Sequence, residues 1–247
     1  MIRSLYLEDW QLTSSLNHNR SDHQSIEQRA IDVTTLKTRG WISFKLTMFS
    51  ESDLREQLFR VAVTFGTPTT TRSGGDLCDL LMPTRAHAAR CRSLSRLYSI
   101  GEFPLHNDTA HWPTPCRYLI LACVSAGSRT RPTFLLDTHR LPLTDQQASL
   151  LHTTPLCVRN GRHSFFSTIL SKSRPFVRFD GGCMTTTTND GAAALAIFSR
   201  QNWSQRIETF HWMTGTVLVI DNWRTLHGRG HAGCSDFNRR LLRISIR

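Results

Sequence analysis

From Gly40 the residues Trp41-Ile42-Ser43-Phe44-Lys45-Leu46 alternate apolar and polar side chains, the period of a strand with one face buried. Leu54, Leu58 and Val61 follow at i, i+4 and i+7, one stripe of a helix, with a cap in Ser50-Glu51-Ser52-Asp53 and a stop at Gly66-Thr67-Pro68. Residues 69–90 carry threonines and a Gly-Gly pair without a period, which predicts a loop over a site. Beyond residue 93, short apolar runs separated by turn residues predict strands over 117–124, 133–136, 165–169, 176–179, 217–220 and 241–246. Two helices interrupt them, one over 145–152 behind a Thr144 cap and one over 191–200 behind Asn189-Asp190. Many short strands, few helices and no internal repeat predict a mainly β chain with flanking helices, a sandwich or barrel of jelly-roll type.

Residues 1–30 are polar and weakly periodic, so the expected organisation is an N-terminal arm or leader followed by a single domain over 31–247. With 247 residues, 39% of them apolar, the chain can bury a sizeable core. Thirty basic side chains against 19 acidic ones give a formal charge of +11, and the excess is almost all arginine, since Lys37, Lys45 and Lys172 are the lysines. The basic residues are spread rather than blocked, which excludes a disordered basic arm and favours anionic partners without naming one. Seven dispersed cysteines, none in a Cys-x-x-Cys pair, read as reduced, buried thiols of a cytoplasmic protein. Charges within the first ten residues and the lack of an 18-residue apolar window argue against export and against a membrane span.

No Gly-x-Ser-x-Gly nucleophile motif is present. The Gly228-Arg229-Gly230-His231-Ala232-Gly233 stretch matches a dinucleotide fingerprint in letters only, because turn-like residues and a further strand follow where a helix should open. A different set is coherent. His106-Asn107-Asp108 directly precedes a predicted strand, His227 follows the apolar run 217–220 and a tight turn, and Arg239 opens the last strand twelve residues later. Two imidazoles and a carboxylate on one face of Fe(II) leave open positions for other ligands. A planar guanidinium suits the far carboxylate of a dicarboxylate that chelates such a metal.

The stretch Phe103–Trp112, the segment Asp221-Asn222-Trp223-Arg224-Thr225-Leu226-His227-Gly228-Arg229 and the ending Arg239-Arg240-Leu241-Leu242-Arg243 resemble the taurine dioxygenase and clavaminate synthase group of Fe(II)/2-oxoglutarate-dependent oxygenases. The resemblance covers residues 35–246 and implies a double-stranded β-helix core. It further implies that His106, Asp108 and His227 are the iron ligands and catalytic centre, that Thr133 assists 2-oxoglutarate binding, and that Arg239 grips the co-substrate's distal carboxylate. Arg243 matches a position that often meets a substrate's acidic group; a second co-substrate contact and a structural ion pair are the other readings. The chain departs from the family in lacking a Gly-Gly before the threonine, having Ser128-Arg129-Thr130-Arg131-Pro132 there. Fe(II), 2-oxoglutarate and O2 would then oxidise an unactivated C–H bond, most simply by hydroxylation, in a small acidic molecule such as an amino acid or natural-product intermediate, free or carrier-bound. Two alternatives stand beside this: an oxygenase of the same metal class acting on nucleic acid, and a non-catalytic binding module. Nucleic acid is disfavoured because the densest basic run, Arg85, Arg90, Arg92 and Arg96, lacks interleaved aromatics.

Overall fold

The computed structural model describes residues 33–91, 93–127, 131–171, 173–231 and 236–247; the expected arm over 1–30 lies outside them. The described chain runs α1 (Val33–Arg39), β1 (Trp41–Lys45), α2 (Glu51–Val63), β2 (Pro68–Thr69), β3 (Cys78–Leu81), α3 (Leu94–Tyr98), β4 (Phe103–His106), β5 (Tyr118–Ser125) and β6 (Thr133–Asp137). It continues through α4 (Asp145–Thr153), β7 (Leu156–Asn160), β8 (His163–Ser167), β9 (Met184–Thr185), α5 (Asn189–Ile197), β10 (Glu208–Phe210), β11 (Thr216–Asp221), β12 (Thr225–Arg229) and β13 (Arg240–Ile246). The architecture is mainly β, with antiparallel pairing throughout the described sheets. A larger sheet has the order β1-β11-β5-β13-β2, with β3 also on β13, and a smaller one has the order β10-β6-β12-β4. A third sheet, β8-β7-β9, lies apart from both in the pairing.

Alternation along the strands decides which residues meet. In β6, Leu135 joins a core shared with Trp41, Leu119, Leu121, Leu218, Ile220 and Leu241 of the larger sheet. Its neighbours Phe134 and Leu136 turn the other way, into a second core with Leu151 of α4, Leu156 and Val158 of β7, and Ala194 and Ile197 of α5. Leu105 of β4 and Leu226 of β12 belong to that second core as well. With a period of two, His106 and His227 must therefore face the larger sheet. On the far side of the larger sheet, α2 packs over β5 and β13 and buries Leu54, Leu58 and Val61, the stripe legible in the sequence. Each such side chain contributes about 1.5–3 kcal/mol by leaving water. Ser50 caps that helix, its hydroxyl accepting from the Asp53 N–H at 3.1 Å.

Several boundaries differ from expectation. Residues 176–179 are not a strand: they are buried, but their hydrogen bonds are scattered over Trp223, Ile169 and Asn107 rather than running along one partner strand. The strand expected over 165–169 is β8, shifted toward the N-terminus because the β7 register sets Leu156 opposite Ser167. The aperiodic stretch 69–90 is not wholly loop, since β2 reaches Thr69 and β3 lies within it, both held on the edge of β13. Thr188, not Asn189-Asp190, caps α5, accepting from Gly191 N–H at 3.1 Å, and the helix ends at Ile197. The six described cysteines are free, but they are not all buried as expected: Cys78, Cys116 and Cys123 are, Cys157 and Cys183 are half-buried, and Cys91 is exposed. Among the described residues no helix is long and apolar enough to cross a membrane.

Candidate metal centre

His106 is the last residue of β4 and pairs directly with His227 of β12, which brings the two imidazoles to 4.5 Å between ring centroids. β4 is an edge strand, so Pro104 removes no ladder hydrogen bond, and the register shifts so that Phe103 to His106 spans the shorter Arg229 to His227. That irregularity aims the Pro104 carbonyl at Nδ1 of His106, 2.8 Å away. A ring nitrogen that donates to a carbonyl leaves the other, Nε2, as the lone-pair donor. Asp108 lies in the turn beyond β4, and its Oδ1 is 3.6 Å from Nε2 of His106 and 3.6 Å from Nε2 of His227. Among the described residues these three offer the one cluster of His, Cys, Asp or Glu donors able to hold a metal, with donor atoms within 4.8 Å of one another.

Two fully buried asparagines hold that turn in place. Asn222, just after β11, accepts from the Asp108 N–H at 2.9 Å and donates to the carbonyls of Asp108 and Cys116 at 3.0 and 2.8 Å. Asn107 donates to the Asn222 carbonyl at 2.6 Å and accepts from Phe179 N–H at 2.9 Å, so residues 176–179 act as a tie to the site. Thr109 adopts φ of 57°, a left-handed conformation rare for threonine, and its hydroxyl accepts from Cys116 N–H at 2.7 Å. Arg178, fully buried, donates to the carbonyls of Ala110, Trp112 and Pro113 and so fixes the chain just beyond.

The charges are unevenly shared. Burial would raise the Asp108 carboxyl, but the Arg243 guanidinium and both histidines overcome it and hold the carboxyl well below its usual range. Burial pulls His106 down, yet Asp108 and Asp180 together lift it above the ordinary histidine value. Burial and the neighbouring His106 push His227 the other way. One carboxylate thus serves two imidazoles, which is the condition a divalent cation would relieve.

A cavity of about 820 Å³ opens onto the three donors, and Thr133, Arg239 and Arg243 line it too. Thr133 begins β6; its hydroxyl accepts from Nε1 of Trp212 at 3.0 Å, which leaves its own proton to donate. Arg239 is buried beside the same tryptophan, its guanidinium carbon 5.7 Å from the ring centroid. Arg131 and Arg229 line this wall as well, and were not singled out from the sequence; burial and the charges of Arg131 and Arg239 push Arg229 down to about 8. Arg229 makes no ion pair with a described carboxylate and instead donates to the carbonyls of Ser99 and Gly101 at 2.8 and 2.9 Å. Such crowding of positive charge suits an anion. Arg243 faces the cavity, but Nη1 donates to Oδ2 of Asp108 at 2.9 Å and Nη2 to Oδ2 of Asp79 at 2.7 Å. Gly228 and Arg229 lie inside β12, so the glycine-rich stretch does not open a helix there; a Cβ at Gly228 would come within 2.9 Å of the Phe103 carbonyl.

No protein-family model and no curated protein matches this sequence. The fold is nevertheless shared with solved non-heme iron oxygenases. An asparagine oxygenase in complex with Fe(II), 2S,3S-3-hydroxyasparagine and succinate matches with a TM-score of 0.70 at 16% identity, over 87% of this chain and 77% of that one. The non-heme iron oxygenase OrfP, in complex with Fe and alpha-ketoglutaric acid, matches with a TM-score of 0.64 at 19% identity, over 86% of this chain and 76% of that one. Another OrfP structure, with Fe, succinate and (3S)-hydroxy-L-Arg, has a TM-score of 0.63 at 18% identity, covering 87% and 77%. At these identities the likeness is one of fold.

Proposed function

We propose that this chain is an Fe(II)- and 2-oxoglutarate-dependent oxygenase that hydroxylates a small substrate, an amino acid or a related acidic molecule, on a double-stranded β-helix. The observation that carries the reading is the convergence of His106, Asp108 and His227 on one side of a cavity whose wall also bears Thr133 and Arg239. Neutral imidazoles with a carboxylate are a donor set that fits Fe(II), and the cavity they line gives room for further ligands. The fold-sharing oxygenases solved with hydroxylated asparagine or arginine support the substrate class, and those solved with succinate or alpha-ketoglutaric acid support the co-substrate.

His106, Asp108 and His227 would hold the metal through Nε2, Oδ1 and Nε2. Bound iron supplies the activation of O2, coupled to decarboxylation of 2-oxoglutarate to succinate and CO2. Arg239 would hold the far carboxylate of 2-oxoglutarate, with Thr133 donating its hydroxyl proton to the same group. Arg131 and Arg229 add positive potential on that wall. Asn107 and Asn222 keep Asp108 aimed at the histidines. Exposed Arg72, Arg90 and Arg159 on the cavity lining favour a substrate bearing a carboxylate. The test is formation of succinate from 2-oxoglutarate under air, with Fe(II) and a panel of free amino acids. Stimulation by one substrate class, lost in Asp108→Ala, supports the reading; no Fe(II)-dependent succinate with any member contradicts it.

A further inference from the structure

Arg243 stands between two carboxylates, and the geometry at Asp108 separates their roles. Oδ1 of Asp108 is equidistant, at 3.6 Å, from the Nε2 atoms of His106 and His227. The other oxygen, Oδ2, accepts from Nη1 of Arg243 at 2.9 Å. The other arm of the guanidinium is fixed by Asp79, whose Oδ2 accepts from Nη2 at 2.7 Å, and the same Nη2 lies 3.4 Å from the Thr71 hydroxyl. Asp79 is the residue directly opposite Arg243 in the β3–β13 ladder, so the sheet register itself supplies the clamp. Arg72 lies 3.5 Å from the second oxygen of Asp79. Charges therefore alternate from Arg72 through Asp79 and Arg243 to Asp108.

We propose that Arg243 is a positioning residue for the metal centre: it occupies Oδ2 of Asp108, restricts that carboxylate to one metal bond through Oδ1, and so keeps a further coordination position open. A carboxylate with both oxygens free can swing to chelate a cation with two bonds; one whose second oxygen is held at 2.9 Å by a fixed guanidinium has that rotation restrained and part of that oxygen's charge already engaged, which favours the single bond through Oδ1. Each extra position occupied by protein is one fewer for co-substrate and O2 together. This assigns Arg243 a task different from meeting the substrate's acidic group. Lysine would be an incomplete replacement, because a single ammonium lacks the planar fork that spans Asp79 and Asp108.

The inference rests on the metal reading above, and the test separates the two. Co(II), a spectroscopic substitute for Fe(II), is titrated into the wild-type chain, Arg243→Gln and Arg243→Lys by calorimetry and visible absorption, below the melting temperature of each. Loss of an outer partner of a ligand weakens metal binding by roughly 10- to 100-fold; that loss is expected for Arg243→Gln with an altered Co(II) spectrum, and Arg243→Lys should recover part of it. A crystal structure of the Co(II)-loaded wild type needs no variant and should show Asp108 bound through Oδ1 alone, with Oδ2 still on Arg243. A wild-type chain that binds no Co(II) overturns the metal reading and this inference with it. Wild-type binding with equal affinity and an unchanged spectrum in Arg243→Gln, or a two-oxygen Asp108 in the crystal, overturns this inference alone. If Arg243→Gln instead keeps its Co(II) affinity and raises only the KM of the amino-acid substrate, the guanidinium serves the substrate.

Discussion

Asn222 makes a sharper test of the site's construction than any ligand, because it touches none of the donor atoms. Its amide oxygen takes the Asp108 N–H and its amide nitrogen satisfies two carbonyls, all buried. Truncation strands those groups, at about 1–3 kcal/mol. Asn222→Ala is therefore expected to lower the melting temperature by roughly 2–4 °C per kcal/mol, and to weaken Co(II) binding in proportion to the freedom Asp108 gains; unchanged stability would show that the turn holds itself. The role proposed for Arg239 is narrower. Arg239→Ala should reduce 2-oxoglutarate affinity by roughly 10- to 150-fold, the loss of a charge-assisted hydrogen bond, while Co(II) affinity without co-substrate stays the same. Calorimetric titration with each ligand separates these outcomes. At this scale, the residues that the resemblance picks out, His106, Asp108, His227 and Arg239, line one cavity although the His-x-Asp by itself says little. The partners of Arg243 were not legible in the sequence, because Asp79 reaches it only through the β3–β13 register, and nothing in the apolar pattern of residues 69–90 foretells that pairing.

Among the elements, β4 and β12 carry the centre between them, and their pairing tolerates little change. Gly228 lies opposite the irregular stretch of β4, where a methyl group would press within 2.9 Å of the Phe103 carbonyl. Gly228→Ala is expected to destabilise the fold by about 1–3 kcal/mol, as crowding a packed site does, and to displace His106 at the end of the same strand. Thermal unfolding with and without Co(II) reads both effects; full stability with normal metal affinity would contradict the tight β4–β12 contact. Sequence periodicity found α2, β1, β5, β6, β11 and β13, all with buried apolar faces. It missed β4 and β12 because histidine, glycine, proline and arginine fill the positions that an apolar stripe would need. It took 176–179 for a strand because Phe176, Val177 and Phe179 are buried, although they pack without a ladder.

For the whole molecule, a formal charge of +11 is partly concentrated where it can act. Arg131, Arg229 and Arg239 line the same cavity, and the positive charges of Arg131 and Arg239 bear on Arg229, a field that an anion would offset. A dicarboxylate should therefore raise the melting temperature of the wild type more than that of Arg229→Gln, in which one of those charges is absent; equal gains in both would remove Arg229 from the anion site. The two histidines give opposite pH dependences in the metal-free protein. His106, raised in the folded state, contributes stability that is present below the ordinary histidine value and lost as pH rises through its folded value. His227, lowered in the folded state, contributes in the opposite sense, so stability from it increases as pH rises through the histidine range. Metal binding needs both rings neutral, and the metal-induced rise in melting temperature should be larger near about pH 8 than near about pH 6. A gain that shrinks with rising pH would exclude the histidines as ligands. The most direct measurement is anaerobic: Fe(II) and 2-oxoglutarate are added to the wild-type protein and the visible metal-to-ligand charge-transfer band is recorded. The band is expected in the wild type and lost in His106→Ala; its absence from the wild type, or its survival intact in that variant, would contradict an iron centre built on His106, Asp108 and His227.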